Sequence, residues 1–99
     1  MLDSLEYTHV EGENKKHSVC VYALSTCGFC KRALAFLDAN KLDYSYIYVD
    51  KIPLDTKNEA KRVLKSRYHQ DVAFPFAVVD EKDCLVGFIE ADWKRTLGV

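Results

Sequence analysis

The sequence contains little cysteine, no internal repeat and no long apolar run. Four cysteines occur among 99 residues, too few for a small secreted domain that is held together by disulfides. No apolar stretch approaches the roughly 20 residues that a membrane-spanning helix requires. These absences exclude a disulfide scaffold and a transmembrane segment, so we expect a globular domain with an apolar core.

A surplus of charge of either sign is also missing. The chain has 14 basic and 15 acidic residues, for a formal net charge of -1. Binding to nucleic acid or to an anionic membrane needs a strong basic surplus, so neither partner is expected. Residues 1–16 contain acidic side chains and no apolar segment, which is not the pattern of a secretory signal. The expected location is therefore the cytoplasm.

The chain does contain alternating strand and helix patterns that fit one domain, residues 1–99. Hydrophobic residues make up 48% of the sequence, enough for a single modest core. Apolar and β-branched runs predict strands at 18–24, 42–49, 74–79 and 84–88. Helical spacing predicts a helix after Cys27, another from Thr56, where a capping box is formed with Glu59, and a third at 90–97.

This order of elements predicts an α/β fold with a small mixed sheet. The first half alternates strand and helix, which requires parallel pairing through a right-handed crossover. The last two strands are joined by a tight charged turn and should pair antiparallel. We therefore expect a four-stranded mixed sheet that is flanked by helices. Residues 1–16 form an N-terminal extension or an extra edge strand, in a hairpin with the strand at 18–24.

The motif Ser25-Thr26-Cys27-Gly28-Phe29-Cys30 carries the chemistry. Residues three apart on a helix share a face, so the two sulfurs can meet. Unpaired N–H groups and the partial positive charge of a helix start favour a thiolate at Cys27, with Lys31 and Arg32 as nearby cations. Cys30 falls on the apolar stripe and should stay protonated. This asymmetry predicts thiol–disulfide exchange, in which Cys27 attacks and Cys30 resolves the mixed disulfide.

Two other uses of this cysteine pair are weaker. A structural zinc site usually needs four ligands, but Cys20 and Cys84 lie inside predicted strands and the three histidines are scattered. We therefore expect no metal site. A purely structural Cys27–Cys30 bridge would close a very short loop and would restrain the unfolded chain little.

Over about residues 17–97, the chain resembles the glutaredoxin family. The resemblance rests on the strand and helix around Cys27-Gly28-Phe29-Cys30, on Phe74-Pro75 before a strand, and on Gly87-Phe88 near the end. It implies a thioredoxin-like fold and a cis peptide bond before Pro75. It also implies that the substrate groove is lined by Ala73, Phe74, Pro75, Gly87 and Phe88, with Phe29 as a further candidate contact.

The chain also departs from the usual glutathione-binding pattern of that family. Leu24 occupies a position where glutaredoxins commonly carry Lys or Arg, Ala73-Phe74 replaces the usual Thr-Val, and Glu90 and Asp92 only loosely match the usual acidic pair. Gly87-Phe88 is similar to the glutaredoxin-like hydrogen donors of ribonucleotide reductase. An added N-terminal strand is similar to glutaredoxin-like proteins that are linked to ferredoxin-dependent reductases.

These resemblances imply a monomer without a bound cofactor. Protein disulfides would be its substrates, and a disulfide reductase or a small thiol would supply the electrons. Glutathione or another low-molecular-weight thiol would then be a co-substrate.

One alternative function remains open at the level of sequence. Cys-Gly-Phe is similar to monothiol glutaredoxins, which read Cys-Gly-Phe-Ser and share an iron–sulfur cluster between two subunits with glutathione. Here Cys30 replaces that serine. The alternative is therefore an iron–sulfur carrier acting as a thiol-bridged dimer, which a brown colour after anaerobic purification would reveal.

Overall fold

A five-stranded mixed sheet forms the centre of the molecule, with the strand order β1-β3-β2-β4-β5. The computed structural model describes all 99 residues. The strands are β1 (Thr8–Val10), β2 (Val19–Ala23), β3 (Tyr44–Tyr48), β4 (Phe76–Val79) and β5 (Asp83–Val86). Strands β2 and β3 are parallel, and the other neighbouring pairs are antiparallel.

Three helices cover the sheet: α1 (Gly28–Ala39), α2 (Leu54–Tyr68) and α3 (Glu90–Leu97). Short 3-10 turns span Leu2–Ser4 and Val49–Lys51. This is the α/β thioredoxin-like fold that the sequence predicted, including the extra N-terminal strand. None of the helices combines the length and the apolar character that crossing a membrane requires.

Two apolar layers lie on opposite faces of the sheet, because alternate residues of a strand point to opposite sides. On one face, Val21 and Ala23 of β2 pack in a cluster that also contains residues of α1 and α3, including Leu37 and Trp93. On the other face, Tyr22 packs in a cluster with residues of α2. Strand β2 is therefore buried on both faces, which fixes the position at which α1 begins.

The sheet has two ends that differ in content. Strands β2 and β3 end, and helices α1, α2 and α3 begin, at what we call the thiol end, formed by residues 24–27, 49–53, 73–75 and 87–89. The opposite end is formed by residues 11–18, 40–43 and 80–82. Every loop that follows a parallel strand therefore reaches the thiol end.

The expected hairpin between the first two strands is wrong. Strand β1 pairs antiparallel with β3, with Thr8 opposite Tyr46 and Val10 opposite Tyr44. Both edges of β2 are already occupied, by β3 and by β4. The connection from β1 to β2 instead crosses the opposite end, where Gly12 packs closely on the backbone of Leu42.

The expected capping box at the second helix is also wrong. Helix α2 begins at Leu54, directly after Pro53, and no side chain caps its first turn. Thr56 therefore lies inside the helix rather than before it. Glu59 pairs with Arg62 one turn later. The other helix bounds agree with the sequence prediction to within two residues, since α3 occupies Glu90–Leu97.

Candidate active site

Cys27 is the N-cap residue of α1 and stands at the thiol end of the sheet. Residues 24–26 connect Cys27 to β2. The Cys27 backbone is extended, with φ -96° and ψ 121°. Its Sγ accepts a hydrogen bond from the Cys30 N–H at 3.3 Å. The thiol thus occupies the place that a serine or aspartate oxygen takes at an ordinary helix start.

Hydrogen bonds lower the pKa of Cys27 below its usual value. The largest cause is the Cys30 thiol, followed by the backbone N–H groups of Cys30 and Phe29. The expected help from Lys31 and Arg32 does not contribute to this shift. Arg32 instead lies over the Phe29 ring, 5.0 Å from its centroid. The thiolate is therefore stabilised by short-range donors of the helix start and not by neighbouring cations.

Cys30 has the opposite environment. Its side chain is 0% exposed and belongs to the apolar cluster beneath α1. Burial is the main cause that raises the pKa of Cys30 to about 12. The Leu24 N–H donates to its Sγ at 3.4 Å. At neutral pH this cysteine is a protonated thiol, and both residues are free rather than joined.

The Phe74–Pro75 segment forms a second part of the thiol end. The peptide bond between these residues is cis. The Phe74 N–H and C=O have no hydrogen-bond partner within the chain, whereas the Pro75 C=O accepts the Gly87 N–H at 2.8 Å. Pro75 is buried and Ala73 is exposed. A pair of unsatisfied backbone groups therefore stands beside an anchored proline.

Gly87 and Phe88 form the third part. Gly87 has φ +74°, a left-handed conformation that favours glycine, and a Cβ there would meet open space. The Trp93 indole N–H donates to the Gly87 C=O at 2.9 Å. The Phe88 ring packs against Phe36 and Trp93, with centroids 5.6 and 5.3 Å away. Phe88 therefore anchors this loop to the core.

The structure thus brings the predicted site residues to one end of the sheet. Cys27, Phe74 and Phe88 all pack against the same apolar cluster. Phe29 lies in the first turn of α1 with 56% of its surface exposed. By contrast, Cys20 and Cys84 pack against the cluster on the other face of the sheet. Burial raises the pKa of Cys20 to about 11 and also raises that of Cys84.

Sequence reasoning missed one polar contact at this end. The Asp50 carboxylate accepts the Ser25 N–H at 2.9 Å and the Ser25 hydroxyl at 2.5 Å. The two residues are far apart in sequence, and they meet because β2 and β3 are parallel neighbours. No local motif marks such a pair. No cluster of three or more potential metal ligands occurs among the His, Cys, Asp and Glu side chains.

Comparisons with known proteins agree with this geometry. The sequence model of the family described as glutaredoxin matches residues 19–83. The glutaredoxin of Methanosarcina mazei Go1 is 29% identical, with a TM-score of 0.79 over 94% of this chain and 88% of that one. The methanoredoxin of Methanosarcina acetivorans is 27% identical, with a TM-score of 0.79 over 92% and 94% of the two chains.

A third solved structure, the glutaredoxin grx-1 of Archaeoglobus fulgidus, is 28% identical. Its TM-score is 0.67, and the match covers 78% of this chain and 82% of that one. No curated protein matches the sequence.

Proposed function

The chain belongs to the glutaredoxin family, and on that premise we propose that it is a thiol–disulfide oxidoreductase acting through Cys27 and Cys30. One observation carries the proposal: the Cys27 Sγ caps the start of α1 and accepts the Cys30 N–H at 3.3 Å, while Cys30 is fully buried. The pKa of Cys27 is therefore lowered, and burial raises the pKa of Cys30. One sulfur is prepared to attack, and the other is held as a protonated thiol beside it.

The reaction is a two-electron exchange. The Cys27 thiolate attacks one sulfur of a substrate disulfide, a Cys27–substrate bond forms, and the other substrate sulfur leaves and takes up a proton. Cys30 then loses its proton and attacks the Cys27 sulfur. The Cys27–Cys30 disulfide forms as the remaining substrate sulfur leaves as a thiolate. Two electrons have passed from the dithiol to the substrate, and the proton that Cys30 loses balances the one that the first substrate sulfur takes up.

Protein disulfides are the proposed substrates. The unpaired N–H and C=O of Phe74 can pair with an extended substrate backbone, as a neighbouring strand would. Ala73, Pro75 and Gly87 border the same place, and the exposed Phe29 ring offers apolar contact. A polypeptide next to the reacting disulfide can use all of these features, whereas a small disulfide uses few.

The charged groups at the thiol end support this preference. Glu90 pairs with Lys94, and Asp92 pairs with Arg95, so both carboxylates are engaged within α3. Leu24 supplies no cation. A buckwheat glutaredoxin of the same fold, 19% identical, was solved as a complex with glutathione. For this chain, glutathione, another small thiol or a disulfide reductase is proposed as the electron donor, with no bound cofactor and a monomeric enzyme.

The test is reduction of insulin and of a small mixed disulfide, with glutathione, a thioredoxin reductase and a ferredoxin-coupled reductase offered in turn. We expect turnover with at least one donor. Cys27→Ser should abolish it, because no other thiol is activated. Cys30→Ser should accumulate a mixed disulfide that mass spectrometry detects. Cys84→Ser, on the other face of the sheet, is the matched control and should keep full activity. Full turnover of Cys27→Ser would overturn the proposal.

A further inference from the structure

The segment that precedes Cys27 holds both cysteines through its backbone. The Leu24 N–H donates to the Cys30 Sγ at 3.4 Å, and the Leu24 C=O accepts the Cys27 N–H at 3.3 Å. Residues 24–26 belong to no helix or strand. A small displacement of this segment would therefore move the backbone partners of both sulfurs together.

Ser25, in the middle of that segment, is held from outside. Its N–H and its hydroxyl both donate to the Asp50 carboxylate, at 2.9 and 2.5 Å. Asp50 lies in the 3-10 turn Val49–Lys51, directly after β3, the parallel neighbour of β2. The Ser25 hydroxyl and N–H also lower the pKa of Asp50, so the acceptor is ionised at neutral pH. Hydrogen bonds to an ionised acceptor are stronger than neutral ones.

We propose that Asp50 is a positioning residue for thiol exchange, which holds residues 24–26 through Ser25 so that Cys30 is aligned for its attack on the Cys27 sulfur. The inference rests on the proposed function. Neither Asp50 nor Ser25 touches a cysteine in a hydrogen bond, so the effect acts through the Leu24 backbone.

The resolving step is the one that depends most on this alignment. The Cys30 sulfur must approach Cys27 opposite the bond to the departing substrate sulfur, and loss of such an approach slows a reaction steeply. The first attack depends less on it, because the substrate can adjust its own position. The Asp50 charge also opposes ionisation of Cys30. The two Ser25–Asp50 hydrogen bonds, which we call the clamp, should speed the second step, whereas the Asp50 charge should slow it. Substitutions at Asp50 can therefore separate the two effects.

The test uses the reduced full chain and one equivalent of 5,5′-dithiobis(2-nitrobenzoate) in a stopped-flow instrument. The first nitrothiobenzoate released reports attack by Cys27, and the second reports attack by Cys30. Asp50→Ala removes clamp and charge, and we expect its second phase to slow on the order of tenfold, with the first phase within about twofold. Ser25→Ala removes only the hydroxyl bond and should slow the second phase less.

Asp50→Asn separates the two effects. Its amide oxygen can still accept the Ser25 N–H and its NH2 can donate to the Ser25 hydroxyl, so the clamp remains while the charge is lost. We expect a second phase at least as fast as that of the unchanged protein. An Asn variant as slow as Asp50→Ala would assign the effect to charge and overturn the inference.

Asp55→Ala is the matched control, because this exposed carboxylate at the same end accepts only the adjacent Thr56 N–H. Both of its phases should be normal. A preserved first phase shows that a variant is folded at its thiol end. Should Asp50→Ala and Ser25→Ala both keep a normal second phase, the positioning role is wrong while the proposed function stands. Should the unchanged protein release no second equivalent, the dithiol function itself fails.

Discussion

The two ends of the sheet use their polar groups in opposite ways. At the opposite end, Asp43 accepts the Gly12 N–H at 3.0 Å and bonds the His9 ring at 2.9 Å. Asp80 repeats the arrangement one loop away with Ser18 and His17. Each carboxylate joins a backbone N–H and an imidazole, so its loop is tied to the sheet by polar contacts at both oxygens.

The thiol end leaves much of its surface unpaired. The Phe74 backbone groups have no partner in the chain. Phe29, Leu54 and Ile89 are 56%, 70% and 58% exposed, and all three lie at this end. Only Asp50, whose carboxylate accepts two hydrogen bonds from Ser25, resembles the Asp43 and Asp80 carboxylates at the other end. Loops of similar length thus serve structure where their polar groups are satisfied, and remain available for chemistry where those groups are not.

The largest predicted effect concerns the difference in reactivity between Cys27 and Cys30 within the thiol end. A thiol with a pKa of about 12, as in Cys30, is ionised at pH 7 on the order of one part in 100,000, against a few per cent for an ordinary cysteine. The greater intrinsic reactivity of the more basic thiolate recovers only part of this difference. Iodoacetamide should therefore alkylate Cys27 at least about a hundredfold faster, as measured by peptide mass spectrometry.

The same reaction in a denaturant is the control, because unfolding removes both environments. Cys27 and Cys30 should then react at similar rates. As pH rises, the selectivity of the folded protein should stay constant until Cys27 is fully ionised and should then fall, because only the Cys30 rate still increases with pH. Equal alkylation of the two cysteines in the folded protein at neutral pH would refute the asymmetry on which the proposed reaction depends.

A second prediction concerns a substitution that destabilises the opposite end and leaves the two cysteines unchanged. A Cβ at Gly12 would overlap the backbone of Leu42 and Asp43, and backbone cannot move aside as a flexible side chain can. Gly12→Ala should lower the free energy of unfolding by roughly 1–3 kcal/mol in urea titrations. Alkylation of Cys27 in the folded variant should be unchanged, because the clash lies at the far end of the sheet.

Gly28→Ala is the matched substitution for that measurement. A Cβ at Gly28 meets no atom within 4 Å, and alanine is the better helix former by up to about 1 kcal/mol. Its stability should therefore equal or exceed that of the unchanged chain. If both alanine variants unfold at the same urea concentration, the close packing of Gly12 on the Leu42 backbone does not stabilise this loop.

A third prediction compares two glycines that share a conformation but lie in different surroundings. Gly87 and Gly98 have φ +74° and +72°, and a Cβ at either meets open space. Alanine should cost each about 1–2 kcal/mol of stability. Only Gly87 borders the proposed groove, so Gly87→Ala should also reduce turnover of a protein disulfide, on the order of tenfold. Equal turnover of the two variants would remove Gly87 from the substrate site.

Much of this architecture follows from local sequence patterns. The strand before Cys27, the apolar stripe of α1 and the tight turn between β4 and β5 are encoded over a few neighbouring residues. The rule of right-handed crossovers then gives parallel pairing of β2 with β3. The two cysteines could be placed on the helix start from spacing alone, and burial of Cys30 follows from its place on the apolar stripe.

The features that sequence missed depend on distant partners. The extra strand β1 was expected, but its partner was not, because the partner is decided by which strand edge is free. The Asp50–Ser25 contact joins residues on two strands, and neither residue is unusual for a surface turn. Leu54 starts α2 because Pro53 precedes it, although the residue spacing around Thr56 favoured a later start.

The last and smallest predicted effect concerns the hydrogen bonds that Asp80 makes with His17 and Ser18 at the opposite end. The hydrogen bond from His17, followed by the Ser18 N–H, lowers the pKa of Asp80 in the folded protein. In the unfolded chain that pKa is about 3.9. A depressed folded-state pKa adds stability that is fully present above the unfolded value and is lost as pH falls through the folded one. The contribution should therefore disappear below about pH 4.

Asp80→Asn removes this titration and tests the closure directly. In thermal unfolding the variant should be slightly less stable than the unchanged protein at neutral pH, and the two should converge as pH falls below about 4. Asp83→Asn is the control, because this exposed carboxylate has no hydrogen-bond partner in the chain, and its stability at neutral pH should match that of the unchanged protein. Cys27 alkylation should be the same in all three proteins. Parallel unfolding profiles for the unchanged protein and Asp80→Asn would mean that the carboxylate does not close this loop, and the contrast between the two ends would then rest on Gly12 and Asp43 alone.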